Sequence, residues 1–297
     1  MSTDFKRPLL LSSFTHGAGL SLAEASLLAY NEPDDVTDTV NGWSLSMPAP
    51  PFDAGDTQGF FAMDDELLTL SFRGTERNIH DWLRNLRVLP TGHDLGQVHR
   101  GFSSALNQVW EDDVKPLLRR HAPGRRVWLT GHSLGAALAC LTAARTHAQL
   151  PEVSITGIVT FGQPRLAKND FEENFNEVFD RRFHRYVNHR DIIPRVPPGY
   201  RHVGELIHFD DHGNVLEAGG TLEIFGSGDD HSEMTDVEFE EMMSTLEAMH
   251  IEGSACDPSV PPAELELEGQ LAGLDFITGI RDHSMVDGYI PALLKNL

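Results

Sequence analysis

Arg126-Val127-Trp128-Leu129-Thr130-Gly131-His132-Ser133-Leu134-Gly135-Ala136-Ala137-Leu138-Ala139 passes from a short β-branched and aromatic run, through Gly-x-Ser-x-Gly, into an Ala- and Leu-rich helical pattern. A strand that turns sharply into a helix around a serine is the context a nucleophile elbow needs; the five-residue pattern without that context is a weak signal. Side chains at positions 131 and 135 would collide with the strand and helix that flank the serine, which accounts for both glycines. The turn presents Ser133 at the mouth of a sheet. The helix start directs positive partial charge toward it, and the Leu134 amide is placed to donate to a developing oxyanion. The plainer reading is an ordinary glycine-flanked helix start.

Outward from this stretch, apolar β-rich runs alternate with helical patterns, the signature of a mostly parallel sheet covered by helices on both faces. Residues 59–63 and 67–72 read as a hairpin around Asp64-Asp65, and 127–130, 155–161 and 183–187 as short buried strands. Phe102, Leu106, Val109, Trp110, Val114 and Leu117 fall at helical spacing over 102–120, and 136–150 reads as another helix.

A serine hydroxyl needs a base in reach and a carboxylate to orient that base. In chain order the acid comes next, and Asp191 follows the strand-like run ending Val187-Asn188 and precedes Ile192-Ile193-Pro194. Its alternative role is to cap a turn. Two later histidines sit in Asp-His-Ser triplets, His231 and His283. His283 precedes the final amphipathic segment, where this architecture places its base, whereas His231 lies in an acidic tract. The expectation is an imidazole bridging the Ser133 hydroxyl and the Asp191 carboxylate.

The 297 residues carry 23 Lys+Arg against 45 Asp+Glu, a formal charge of −22. Such a chain should be repelled by nucleic acid phosphates and anionic membranes. Residues 204–282 hold 20 acidic residues and one basic residue, so they account for −19 of the total. That concentration reads as an acidic insertion within a single domain spanning 1–297. Inside it, Phe239, Met242, Met243, Leu246 and Met249 form a helical stripe, either docked on the core or serving as a second lid or partner surface. Asp229, Asp230 and Glu233 read as a solvated loop rather than a calcium site. The two cysteines, Cys140 and Cys256, support neither a disulfide scaffold nor a zinc site. No apolar run is long enough to span a membrane, and residues 1–20 lack a signal-peptide core. A cytoplasmic location or a leaderless export route is therefore expected.

Five ordered motifs together resemble the class 3 lipases, the fungal-type triacylglycerol lipases of the α/β-hydrolase fold. They are Phe72-Arg73-Gly74-Thr75, Val98-His99-Arg100-Gly101-Phe102, the elbow itself, Phe161-Gly162-Gln163-Pro164-Arg165, and residues 188–197. Ala136 stands where the family often has a further glycine. The resemblance implies Ser133 as nucleophile with Asp191 and His283 completing the triad, and Thr75 as an oxyanion donor beside Leu134. It also implies a helical lid at about 75–90. There Ile79, Trp82, Leu83 and Leu86 fall on one helical face, which fits a lid and equally fits a fixed surface helix. The implied activity is hydrolysis of acylglycerols at a lipid–water interface, with no metal or organic cofactor. Phospholipase A1 or feruloyl-type esterase activity would use the same machinery. A serine peptidase or a non-catalytic interaction protein fits the sequence less well.

Overall fold

The computed structural model describes residues 4–11, 13–55, 57–74, 89–216, 234–251 and 282–297. Its centre is a seven-stranded sheet. In chain order the strands are β1 (Phe52–Ala54), β2 (Thr57–Met63), β3 (Leu67–Phe72), β6 (Arg126–His132), β7 (Ile155–Phe161), β8 (Phe183–Asn188) and β9 (Glu205–Phe209), and they lie side by side in that order. β1, β2 and β3 pair antiparallel, and every pairing from β3 to β9 is parallel. A separate two-stranded ribbon joins β4 (Pro90–His93) to β5 (Gly96–His99).

Helices cover both faces. α1 (His16–Leu28) starts at Thr15, whose hydroxyl accepts the Ala18 amide as an N-cap. It packs on the β6 face that carries Trp128, and Ser26 hydrogen-bonds Thr130 at 2.9 Å. α5 (Leu134–Gln149) lies on the opposite face with Val127 and Leu129, and Leu138, Leu141 and Ala144 are fully buried there. Alternation along β6 sends successive side chains to different helices, as a strand buried on both faces requires. The remaining helices are α2 (Pro33–Gly42), α3 (Arg100–Val109), α4 (Lys115–His121), α6 (Asn169–Val178), α7 (Asp236–Ile251) and α8 (Ile290–Lys295).

Two expectations change, and one open alternative is decided. The helix expected over 102–120 is α3 and α4 joined by a π-turn at Trp110–Val114; the wider turn keeps both Trp110 and Val114 buried. The acidic tract is not wholly an insertion, because Glu205–Phe209 is the β9 strand and pairs with β8. Its buried His208 and Phe209 belong to the sheet, while the acidic side chains around them are at the surface. Phe239, Met242 and Met243 are buried in the core, which is the docked arrangement; the side chains of Leu246 and Met249 lie outside the described residues, as do Asp229, Asp230, His231, Glu233 and Cys256. Cys140 is a buried free thiol.

The last segment, 282–297, is fastened to the core it returns to. Lys295 Nζ donates to the His212 carbonyl and Asn296 Nδ2 to that of Gly213, both at 2.7 Å. Leu293 is fully buried against α1, where a Cβ on Gly19 would stand 3.2 Å from it. This docking positions the helix that follows His283.

Two imidazoles tie the fold to pH. The His184 ring stacks on Phe14 at 3.8 Å, and burial, aided by nearby His16, pushes its pKa down to about 4. Burial and then the Arg145 charge bring His93 to about 4 as well. The folded chain holds these rings neutral, whereas the unfolded chain protonates them near 6.5, so the unfolded state binds more protons between those values. Stability is expected to be level above about pH 7 and to fall as pH drops from 6.5 toward 4, read as the thermal midpoint. His184→Phe should flatten part of that decline, and a pH-independent midpoint would contradict the assignment.

Candidate active site

β6 ends at His132, α5 begins at Leu134, and Ser133 forms the corner between them with φ +57° and ψ −125°. A residue with a Cβ is strained there, at a cost of order 1–3 kcal/mol, and holds only where its surroundings over-determine it. They do. A Cβ on Gly131 would overlap the backbone of Gly135, and one on Gly135 would overlap the Phe72 carbonyl at the end of β3. The Ser133 amide donates to the Phe161 carbonyl at 3.0 Å, and the Ser133 carbonyl accepts the Ala136 amide at 3.0 Å. The fully buried Ala136 fits where a glycine is often found. Ser133 is 4% exposed and stands at the N-terminus of α5, with the Leu134 amide next to it.

Asp191 lies three residues beyond β8, and its own amide donates to the Asn188 carbonyl at 2.9 Å. The carboxylate is 3% exposed, and burial of a charge demands donors. It has three: the Ile193 amide to Oδ1 at 2.9 Å, the Tyr289 hydroxyl to Oδ2 at 2.5 Å, and His283 Nδ1 at 2.8 Å from Oδ2 and 3.0 Å from Oδ1. The bond to Tyr289, with the burial of that phenol, holds the phenol well above its ordinary pKa, burial being the larger cause. Because a carboxylate only accepts, Nδ1 of His283 carries a proton, and in the neutral ring the lone pair is on Nε2. That Nε2 is buried and has no hydrogen-bond partner among the described residues.

The exit of β7 is the shared seat of the two halves. Phe161 holds the Ser133 amide, and the next residue, Gly162, has φ +57° and leaves its Cβ position to the catalytic-type pair. A Cβ there would lie 2.5 Å from His283 Cε1 and 2.8 Å from Asp191 Oδ2. From the other side, His132 Nε2 lies 2.7 Å from the His283 carbonyl, and the two imidazole rings are 4.3 Å apart. Asn188 Nδ2 donates to the Asp282 carbonyl, and the Asp282 carboxylate pairs with His189 Nδ1 at 2.9 Å.

The structure therefore joins Asp191 to His283 and carries the backbone of His283 onto the residue preceding Ser133. The hydrogen bond expected between the Ser133 hydroxyl and His283 Nε2 is not closed. Such bonds are often long or poorly aligned at rest and tighten only when substrate docks. Thr75, Ile79, Trp82, Leu83 and Leu86 lie outside the described residues. The chain does bring their neighbour Gly74 to the elbow, where a Cβ would stand 3.0 Å from Ser133 Cβ and 2.7 Å from the His132 carbonyl. The other described histidines that follow Asp191 are engaged elsewhere: His202 with the Pro194 carbonyl, His208 with that of His189, and His212 beside Asp211. Sequence reading missed Tyr289 and His132. Both sit in segments it had singled out, yet nothing in their spacing reports which side chain they touch. Among the described residues no group of three or more His, Cys, Asp or Glu could hold a metal ion.

Residues 69–201, which run from β3 through the elbow to the loop beyond Asp191, match the family model Lipase (class 3). Over those residues, somewhat under half of the chain, the sequence is similar to the class 3 lipases. It is 32% identical to a lipase of Rhizomucor miehei over 169 residues, 53% of this chain and 46% of that protein. A secreted mono- and diacylglycerol lipase of Malassezia restricta is 32% identical over 151 residues, 46% of this chain and 49% of its own length. The matches thus span about half the length of these curated relatives. Among solved structures, a fungal lipase–inhibitor complex, presented as a model for interfacial activation in lipases, superposes with a TM-score of 0.57 at 25% identity, over 66% of this chain and 81% of that one. The lipase of Rhizopus microsporus var. chinensis gives 0.56 at 25% identity, over 70% and 82%. The fold is the α/β-hydrolase fold of these lipases, and the Ser133 elbow and the Asp191 loop fall inside the stretch matched by the family model.

The seat at Gly162 can be tested without turnover. Gly162→Ala should expel the His283 ring from beside Asp191 while the far-ultraviolet spectrum stays that of the parent. The expected reading is loss of the downfield Nδ1 proton resonance, with a stability cost of about 1–3 kcal/mol. An unchanged resonance would contradict the packing described.

Proposed function

We propose that this protein, similar to the class 3 lipases over residues 69–201, hydrolyses carboxylic esters, and acylglycerols at a lipid–water interface in particular, through an acyl-enzyme formed on Ser133. The observation that carries the reading is the buried Asp191–His283 pair: the His283 Nε2 has no hydrogen-bond partner among the described residues, and the His283 carbonyl is tied by a hydrogen bond to His132, the residue preceding the strained serine. In this reading His283 Nε2 takes the proton from Ser133 Oγ as the oxygen attacks the ester carbonyl. Asp191 keeps Nδ1–H in place and stabilises the imidazolium. The Leu134 amide, at the positive end of α5, and the Thr75 amide take the oxyanion. The tetrahedral species collapses as Nε2 returns the proton to the leaving alcohol. Water then repeats the sequence and releases the fatty acid.

The acylglycerol class draws support from the names of the relatives, one of which is a mono- and diacylglycerol lipase. The interface draws support from the activation described for the fungal complex and from the amphipathic spacing of Ile79, Trp82, Leu83 and Leu86, read as a lid that turns its apolar face to lipid when open. Phospholipid vesicles and p-nitrophenyl esters of graded length serve as the comparison substrates.

Ser133→Ala should lower kcat/KM on a p-nitrophenyl ester by at least about 10³-fold without loss of folding. With a triglyceride the rate should jump as substrate passes its solubility limit. Full turnover by the alanine variant would overturn the nucleophile. Plain saturation on short esters, with no rate on emulsions, would overturn the lipase reading in favour of an esterase.

A further inference from the structure

His132, the variable position of the Gly-x-Ser-x-Gly motif, is buried, with 7% of its surface exposed. Its two nitrogens have partners of different character. Nε2 lies 2.7 Å from the carbonyl oxygen of His283, which can only accept, so Nε2 carries hydrogen. Nδ1 lies 2.8 Å from the Tyr30 hydroxyl, which can donate, so a neutral ring accepts there. The partners thus select one tautomer. Tilted against it, at a centroid separation of 4.3 Å and 33° between planes, is the His283 ring, and Tyr289 lies edge-on at 6.1 Å. Burial foremost, and then the charge His283 can carry, hold the His132 pKa well below its ordinary value, so the ring is neutral.

Of the bonds that hold the 282–283 turn, those from Asn188, His189 and Arg190 come from the acid's side of the site. The bond from His132 is the one that begins on the nucleophile's own strand, one residue before Ser133. It therefore sets the separation between nucleophile and base, whereas the others set the separation between base and acid. We propose that His132 is a positioning residue. As a neutral Nε2–H imidazole it ties the backbone of the base to the elbow, and it lets the imidazolium of His283 form without a second cation facing it. This rests on the ester-hydrolase reading of Ser133 and His283.

Three measurements on the full chain test it. His132→Phe keeps an aromatic ring and removes both hydrogen bonds; kcat on a soluble p-nitrophenyl ester should fall on the order of thirtyfold, in the range a displacement of about 1 Å produces, with KM within about twofold. His132→Gln, whose amide N–H can reach the same carbonyl, should recover kcat to within about fivefold of the parent. Nitrogen-15 spectra of the unaltered, histidine-labelled protein at neutral pH should give His132 the signature of the neutral Nε2–H form. A His132→Phe variant with undiminished kcat, or one that lowers kcat no more than His132→Gln does, overturns the proposal. So does a spectrum giving the Nδ1–H or the doubly protonated ring, which decides the matter even if the phenylalanine variant does not fold. Turnover that survives Ser133→Ala would remove the reading beneath the proposal, an outcome separable from the others because it does not involve His132.

Discussion

A carboxylate with almost no exposure to water governs this structure. The Asp191 carboxylate accepts from an amide of its own loop, an imidazole and a phenol, and the last two lie 92 and 98 residues further along the chain. Burying such a group without donors would cost several kcal/mol, so the C-terminal segment and the β8 loop are bound to fold together or not at all. The docking of α8 against α1, and the bonds from Lys295 and Asn296 to the turn after β9, serve that requirement. The acidic tract between the two halves is long, and the geometry at Asp191 depends on where the chain returns rather than on the path it takes.

The second constraint is steric. Ser133 occupies a backbone conformation that its own Cβ disfavours, and three strands hold it there: Phe72 from β3 through the closeness of Gly135, Gly131 from β6, and Phe161 from β7 through a hydrogen bond. The same β7 exit then gives up a side chain at Gly162 so that the His283 ring can lie against it. The exit of one strand thus fixes both Ser133 and the His283 ring. It does so with backbone atoms, which move less than side chains would. Parallel pairing from β3 to β9 is what brings those strand ends to one level.

What could be read from sequence follows from whether the signal is local. The elbow was legible because glycine spacing and the change of period from strand to helix occur within fourteen residues. Asp191 and His283 were legible from chain order and from the residues beside them. α1 was not, because it is buried nearly all round, so it lacks the one-sided stripe that marks a helix. β9 was hidden by the acidic charge around it, which a count of charges cannot separate from the two buried side chains that make it a strand. The π-turn between α3 and α4 keeps Trp110 inward without disturbing the apolar spacing, so the two helices read as one. Tyr289 and His132 act through contacts with residues more than ninety positions away, and no window along the chain contains them.

The central claim is that Ser133 and His283 act together although Nε2 has no partner among the described residues of the resting chain. A crystal structure of the protein after reaction with an alkyl phosphonate tests it most directly. The account predicts phosphorus bonded to Ser133 Oγ, His283 Nε2 within about 3 Å of that oxygen or of the departing one, and the phosphoryl oxygen against the Leu134 amide. An adduct on another residue, or an imidazole still facing away from a modified Ser133, would contradict it.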